Sequence, residues 1–138
     1  MRRRRRAARR RDLRIWKGRL WALAPARTLP PDWEVAWTGQ TLPLPDGGRL
    51  EWHGTPLREP LTVRLRRGGE RIRPSGDRHT RELRDLFQRG ELPPWQRAGC
   101  PLIYAAGELL AVADRWRSEA GADWFRQAGG EPRWQPAD

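Results

Sequence analysis

Cysteine occurs once in this chain, at Cys100, and histidine twice, at His53 and His79. A single thiol excludes an internal disulfide and any multi-cysteine metal site. The two histidines stand far apart and lack the spacing of metal ligands. No apolar run approaches the ~20 residues of a membrane-spanning helix. The start, MRRRRRAARRR, has no apolar stretch behind it of the kind a secretory signal needs. These absences predict a cytoplasmic protein with no membrane partner. The patterns G-x-x-x-x-G-K-[ST] and G-x-G-x-x-G are missing too, which removes the usual phosphate loops. Ser75 and His79 share the loop PSGDRHT, but no orienting acid or oxyanion loop accompanies them. The residues therefore point to no catalytic centre, no metal and no cofactor in this chain.

What is present is arginine and tryptophan. The chain has 138 residues, nine of them Trp, and 37% are hydrophobic, too many large apolar groups for a disordered chain. Basic residues number 28 against 17 acidic ones, a net of 28 − 17 = +11. Lys17 is the only lysine, so arginine supplies nearly all of that charge. Residues 1–11 hold eight arginines and no acid, which leaves 20 − 17 = +3 for the remainder. Most of the excess is thus one N-terminal arm. Such a block attracts any polyanion. It reads equally as a solvated tail or a linker remnant, and the arginine bias as that of a GC-rich gene.

Alternation and punctuation organise the rest. RDLRIWKGRLWALA reads as strand, a turn or bulge near Gly18, and strand. WEVAW places Trp33, Val35 and Trp37 on one face of a strand. LPLPDGGRLEWH reads as a turn feeding a second strand, and the prolines at 56 and 60 mark a join near Gly54–Pro60. LTVRLRR alternates Leu61, Val63 and Leu65 against Thr62, Arg64 and Arg66, one apolar and one cationic face. Pro74 biases Arg73 away from helix, so RIRPSGD reads as an extended loop. A helix follows, with Thr80 as N-cap, Gly90 as stop and Leu83, Leu86 and Phe87 as one apolar stripe. Pro93 and Pro94 suit a single helical turn. Leu102–Tyr104 and Leu109–Val112 read as a β-hairpin. The segment after Gly121 reads as a Gly/Pro-rich tail, with Trp124, Phe125 and Trp134 as candidates to pack back.

Arg64, Arg66, Arg67, Arg71, Arg73, Arg78, Arg81 and Arg84 come from one strand, one loop and one helix start. Guanidinium forks suit phosphate oxygens, and a helix start with its loop offers N–H groups to an anion. Such contacts hold a nucleic acid without reading its sequence, as befits folded RNA. The other reading is a solvated surface, since Glu70, Asp77, Glu82 and Asp85 lie among these arginines. His79 belongs to the same loop. Trp95 and Trp116 are available either to stack on bases or to fill the core.

GGERIRP, LRDLFQ, PPWQR, PLIY and LLAVADRW, in that order and spacing over about Arg67–Ser118, resemble the C-terminal domain of bacterial tRNA(Ile)-lysidine synthetase. The preceding IWKGRLWAL and LPLPDGGRLEW are similar to the segment before that domain in the longer members. The resemblance implies an enzyme that joins lysine to the wobble cytidine of a minor isoleucine tRNA. ATP and Mg serve a separate N-terminal catalytic domain, whose Ser-Gly-Gly-x-Asp-Ser loop this chain lacks. It implies a tRNA-holding module on the acceptor-stem side, with a small mixed β-sandwich fold. Its basic motif falls on Arg71 and Arg73, with Arg78 to Arg84 along the following helix.

The expected fold is α+β: two small β-rich modules, the second β-sandwich-like with one main helix. The expected partition is an arm over 1–11, a module over 12–58, the tRNA-binding domain over 59–120 and a tail over 121–138. The expected tRNA-binding residues are Arg64, Arg66, Arg71, Arg73, Arg78, His79, Arg81 and Arg84. The expected partners are the minor isoleucine tRNA and the catalytic domain of the synthetase. The alternatives are an intramolecular docking module and a general nucleic-acid binder.

Overall fold

The computed structural model describes residues 11–23, 28–90 and 92–137. All but the last residue of the arginine arm lies outside them. A hairpin comes first, β1 (Asp12–Trp16) and β2 (Arg19–Leu23). Lys17 and Gly18, with φ of 50° and 70°, form its two-residue turn. Two left-handed residues match the twist of paired strands, so the sequence reading holds here. The alternation places Trp16 and Trp21 on one face and Leu13, Ile15 and Leu20 on the other.

Five strands make the main sheet: β3 (Glu34–Trp37), β6 (Leu61–Arg64), β9 (Leu102–Ala105), β10 (Glu108–Val112) and β11 (Trp116–Arg117). Their order is β11-β10-β9-β6-β3. The predicted β9–β10 hairpin forms, turning at Ala106 and Gly107 with φ of 49° and 79°. A second sheet has the order β12-β5-β4, from β4 (Leu42–Pro43), β5 (Arg49–Gly54) and β12 (Gly130–Gln135). A third is the short pair β7 (Arg71–Ile72) and β8 (Arg81–Glu82). The helices are α1 (Leu83–Arg89), the single turn α2 (Pro94–Arg97) and α3 (Glu119–Ala128). The β-rich α+β class is as expected.

The boundaries are not. The expected join at Gly54–Pro60 is crossed by pairing: β3 lies antiparallel to β6, with Trp37 opposite Leu61. The expected tail from 121 is ordered structure. Ser118 caps α3 by accepting the Gly121 N–H at 2.9 Å. Gly129, at φ 74°, ends the helix in the left-handed region. β12 then pairs with β5 over six residues, Gly130 opposite Gly54 through Gln135 opposite Arg49. Pro132 is tolerated because β12 is an edge strand. Glycine and proline, read as signs of a loose tail, are here a helix stop and an edge residue. One cluster joins Trp37, Leu42, Leu44 and Leu50 to Leu61, Val63, Phe87, Ile103, Phe125 and Trp134. Both sides of the expected join therefore share a core.

α1 begins later than expected. Thr80 is not its cap; Glu82 is, without a side-chain bond. Arg81 and Glu82 are instead held in the β7–β8 pair, Arg71 opposite Glu82 and Ile72 opposite Arg81. The Leu83 N–H bonds to the Glu70 carbonyl at 3.1 Å. That bond takes one of the donors that a helix start would otherwise offer. The stripe is as read: Leu83, Leu86 and Phe87 are buried, and Gly90 stops the helix. Cys100 is buried, and burial pushes its thiol well above the ordinary range.

Candidate nucleic-acid interface

The eight predicted contact residues divide by what the fold gives them to do. Arg64 on β6 is held from within. Its Nη2 donates to the Tyr104 hydroxyl at 2.7 Å, and its guanidinium lies 4.2 Å from that ring's centroid. The Arg66 guanidinium lies over the buried Phe87 ring at 5.4 Å. Arg81 is clamped by Asp77 through two bonds, Nε to Oδ2 at 3.0 Å and Nη2 to Oδ1 at 3.2 Å. A fork engaged in this way presents few donors to an outside phosphate.

Arg71 and Arg84 share one carboxylate, Glu82, at 3.4 and 3.2 Å. Both arginines are exposed and Glu82 is half-buried, and such surface pairs contribute about 0–1 kcal/mol. A polyanion displaces them at little cost. Arg73 and Arg78 are exposed and have no ion pair, hydrogen bond or ring contact among the described residues. The His79 ring is exposed beside Arg78 and makes no hydrogen bond among the described residues. Of the eight, Arg73, Arg78 and His79 are thus the side chains most open to an external anion.

Their loop is built to hold still. Pro74 bridges to Ser118 across an isolated antiparallel pair. The Ser75 N–H donates to the Arg117 carbonyl at 2.8 Å, and the Asp77 N–H to the Pro74 carbonyl at 2.8 Å. Gly76 turns the chain at φ 84°. The Glu119 carboxylate accepts from Ser75 Oγ at 3.0 Å and from the Gly76 N–H at 3.1 Å. Asp77 Oδ1 accepts from the His79 N–H at 2.9 Å. Glu119 opens α3, so the helix missed by sequence reasoning is what anchors the loop. Its signal was legible as a Ser cap, a first-turn Glu and a closing Gly, all in SEAGADWFRQAGG.

One other expectation changes, and of the two readings of Trp95 and Trp116 the packed one holds. The start of α1 is not an open phosphate site, because Glu70 occupies the Leu83 N–H and Glu82 and Asp85 flank it. Trp95 and Trp116 pack rather than stand ready to stack. Trp95 lies 6.2 Å from Trp16 and 5.5 Å from Trp21, under the β1–β2 hairpin. Trp116 lies 5.8 Å from Phe87.

The Arg81 clamp holds the Asp77 carboxyl down at about 2, from an ordinary 3.8, with the His79 amide helping. A depressed acid stabilises the fold above its unfolded value and loses that contribution as pH falls through its folded one. The thermal midpoint of wild type should therefore exceed that of Asp77→Asn at neutral pH. The gap should close between pH 3.8 and about 2. Melting curves of both proteins across that range check it; a gap independent of pH would contradict the clamp.

With this geometry in view, the relatives are informative. Residues 61–134 match the family described as TilS substrate C-terminal domain. The chain belongs to that family. The tRNA(Ile)-lysidine synthase of Xanthomonas campestris pv. campestris (strain 8004) is 39% identical over 130 residues, covering 91% of this chain and 30% of the relative. That of Xylella fastidiosa (strain Temecula1) is 37% identical over 131 residues, covering 90% and 30%. A crystal structure of the TilS C-terminal domain is 22% identical with a TM-score of 0.53, covering 76% of this chain and 98% of that one. It shares the fold. The chain spans about 30% of the length of these curated relatives and corresponds to their C-terminal region. The TilS match runs from the first residue of β6 into β12, so α3 and β12 belong to the domain. The strands before it complete both sheets, β3 along β6 and β5 along β12.

Proposed function

We propose that this chain is the tRNA-binding C-terminal portion of a tRNA(Ile)-lysidine synthetase. It grips the acceptor-stem side of the minor isoleucine tRNA while a separate domain, using ATP and Mg, joins lysine to the wobble cytidine. The observation that carries the reading is the pinned loop that presents Arg73 and Arg78 unpaired among the described residues, with Arg71 and Arg84 loosely held beside it. A loop backbone already held in place lowers the ordering cost of binding, and guanidinium on phosphate positions a stem without reading its sequence.

The test is a filter-binding titration of the chain from residue 12 onward. The ligands are the minor isoleucine tRNA, an acceptor-stem minihelix and an unrelated tRNA, across a range of salt. The isoleucine tRNA and its minihelix should bind alike. With two to four phosphates contacted, log affinity should fall against log salt with a slope of about −2 to −4. Omitting the arm separates the grip from general binding by residues 1–11, which predicts loss of nearly all affinity in the shortened chain.

A second reading, docking on the catalytic domain, is favoured by one feature. Leu13, Ile15 and Leu20 on the outer face of the β1–β2 hairpin are 65%, 78% and 64% exposed. A contiguous apolar face is characteristic of a contact surface, and the relatives carry more than twice this length beyond the shared region. If no RNA binds in the titration, docking replaces the grip.

A further inference from the structure

A cleft of about 400 Å³ opens between the Thr55–Glu59 segment and the C-terminal end of α3. It lies apart from the arginine loop, and none of the residues singled out above for RNA contact lines it. Its walls include Pro56, Leu57, Arg58, Glu59, Trp124 and Gln127. Trp124 is half-buried, and its indole is set edge-on against the buried Phe125, with centroids 5.7 Å apart at 82°. Arg58 is exposed and has no side-chain partner among the described residues.

The cleft is preformed. The Thr55 N–H donates to the Gly129 carbonyl at 3.0 Å, and Trp52 Nε1 donates to the Thr55 carbonyl at 2.7 Å. Gly54 and Gly130 close the β5–β12 ladder beside it. A Cβ on Gly54 would lie 2.4 Å from the Gly129 oxygen, so only glycine allows this close approach of the two segments.

The lining combines an indole, aliphatic surface, one amide, one unpaired guanidinium and the Glu59 carboxylate. Arg58 and Glu59 offset one another as a field, which makes the cleft a poor site for bare phosphate. A flat heteroaromatic ring with polar edges fits better: the indole offers a stacking surface, Gln127 a hydrogen-bonding edge, and Arg58 a contact for the attached phosphate. The position points the same way. α3 begins at Glu119, which holds the arginine loop, and ends at the cleft. Ten residues of helix span about 15 Å, the length of roughly four stacked nucleotides at ~3.4 Å each.

We propose that this cleft takes the base of an unpaired nucleotide from a strand whose paired part lies on the arginine loop, with Trp124 as the stacking platform and Arg58 on its phosphate. This rests on the RNA reading above.

The test uses the full chain with four RNAs: a blunt hairpin stem, the same stem with a six-nucleotide 3′ overhang, the same stem with a 5′ overhang, and the free hexanucleotide. A 2-aminopurine in the overhang reports stacking. One overhang polarity should bind roughly ten-fold tighter than the blunt stem, the scale of one base–aromatic stack, with quenched 2-aminopurine. Trp124→Ala should remove that increment and the quenching while the blunt stem binds as before. Arg58→Ala and Gln127→Ala, which leave the core intact, should each reduce the increment, so a misfolded Trp124 variant would not decide the matter. Equal binding of blunt and tailed stems would overturn the cleft alone. Absence of all RNA binding would overturn both readings, and would leave the cleft as a site for an aromatic side chain of a protein partner.

Discussion

Replacing Arg73 and Arg78 together by alanine should weaken binding of an acceptor-stem minihelix by about 10–100-fold at low salt. It should also make the salt slope shallower by about two, one for each phosphate that is no longer neutralised. Stability should be nearly unchanged, because neither side chain has a partner among the described residues. The contrast is Arg81→Ala. That change leaves Asp77 without its clamp, so its main effect should be on the loop and its melting behaviour. Titrations at three salt concentrations, with melting curves of each variant, separate the two. Equal weakening by Arg81→Ala and by the Arg73/Arg78 pair would refute the division of labour drawn from the ion pairs. An unchanged slope in the double variant would remove these two residues from the interface.

Gly121→Ala should destabilise the protein by about 2 kcal/mol, against the rule for helices. Within a helix, alanine is ordinarily better than glycine by about 1 kcal/mol. Gly121 lies in the first turn of α3, where the helix rests directly on β10. A Cβ there would sit 2.1 Å from the Leu110 carbonyl oxygen and 2.9 Å from its carbon. Both are backbone atoms of a sheet strand, so no side chain can swing aside, and the helix must lift. Ala120, one residue earlier, is exposed. There the reverse change, Ala120→Gly, should cost only the ordinary ~1 kcal/mol. Urea midpoints of the two variants check the ordering. Because Glu119 ties α3 to the arginine loop, Gly121→Ala should also lower RNA affinity, whereas Ala120→Gly should not.

Much of the fold was legible because its signals are local. The alternation in LTVRLRR, the Lys17–Gly18 turn, the stripe of Leu83, Leu86 and Phe87 and the Pro93–Pro94 helix start each depend on a few neighbouring residues. The order of GGERIRP, LRDLFQ, PPWQR, PLIY and LLAVADRW was enough to bring the family into view, and residues 61–134 bear it out. Composition alone excluded an internal disulfide and placed most of the surplus charge in residues 1–11.

Tertiary structure decided the rest, for one reason: which groups meet depends on segments far apart in the chain. Thr80 lost its role as a cap because β7 paired with β8. The tail became a strand because β5, some 80 residues earlier, offered it an edge. Among the eight residues of the cationic surface, sequence could count charges but not subtract them. Arg64 is engaged by Tyr104, forty residues away, and Arg81 by Asp77. Arg73 and Arg78 stand clear on a loop whose anchor, Glu119, lies more than forty residues further on. A guanidinium and a carboxylate satisfy each other only within a few ångströms, and that proximity is a property of the folded chain, not of its order.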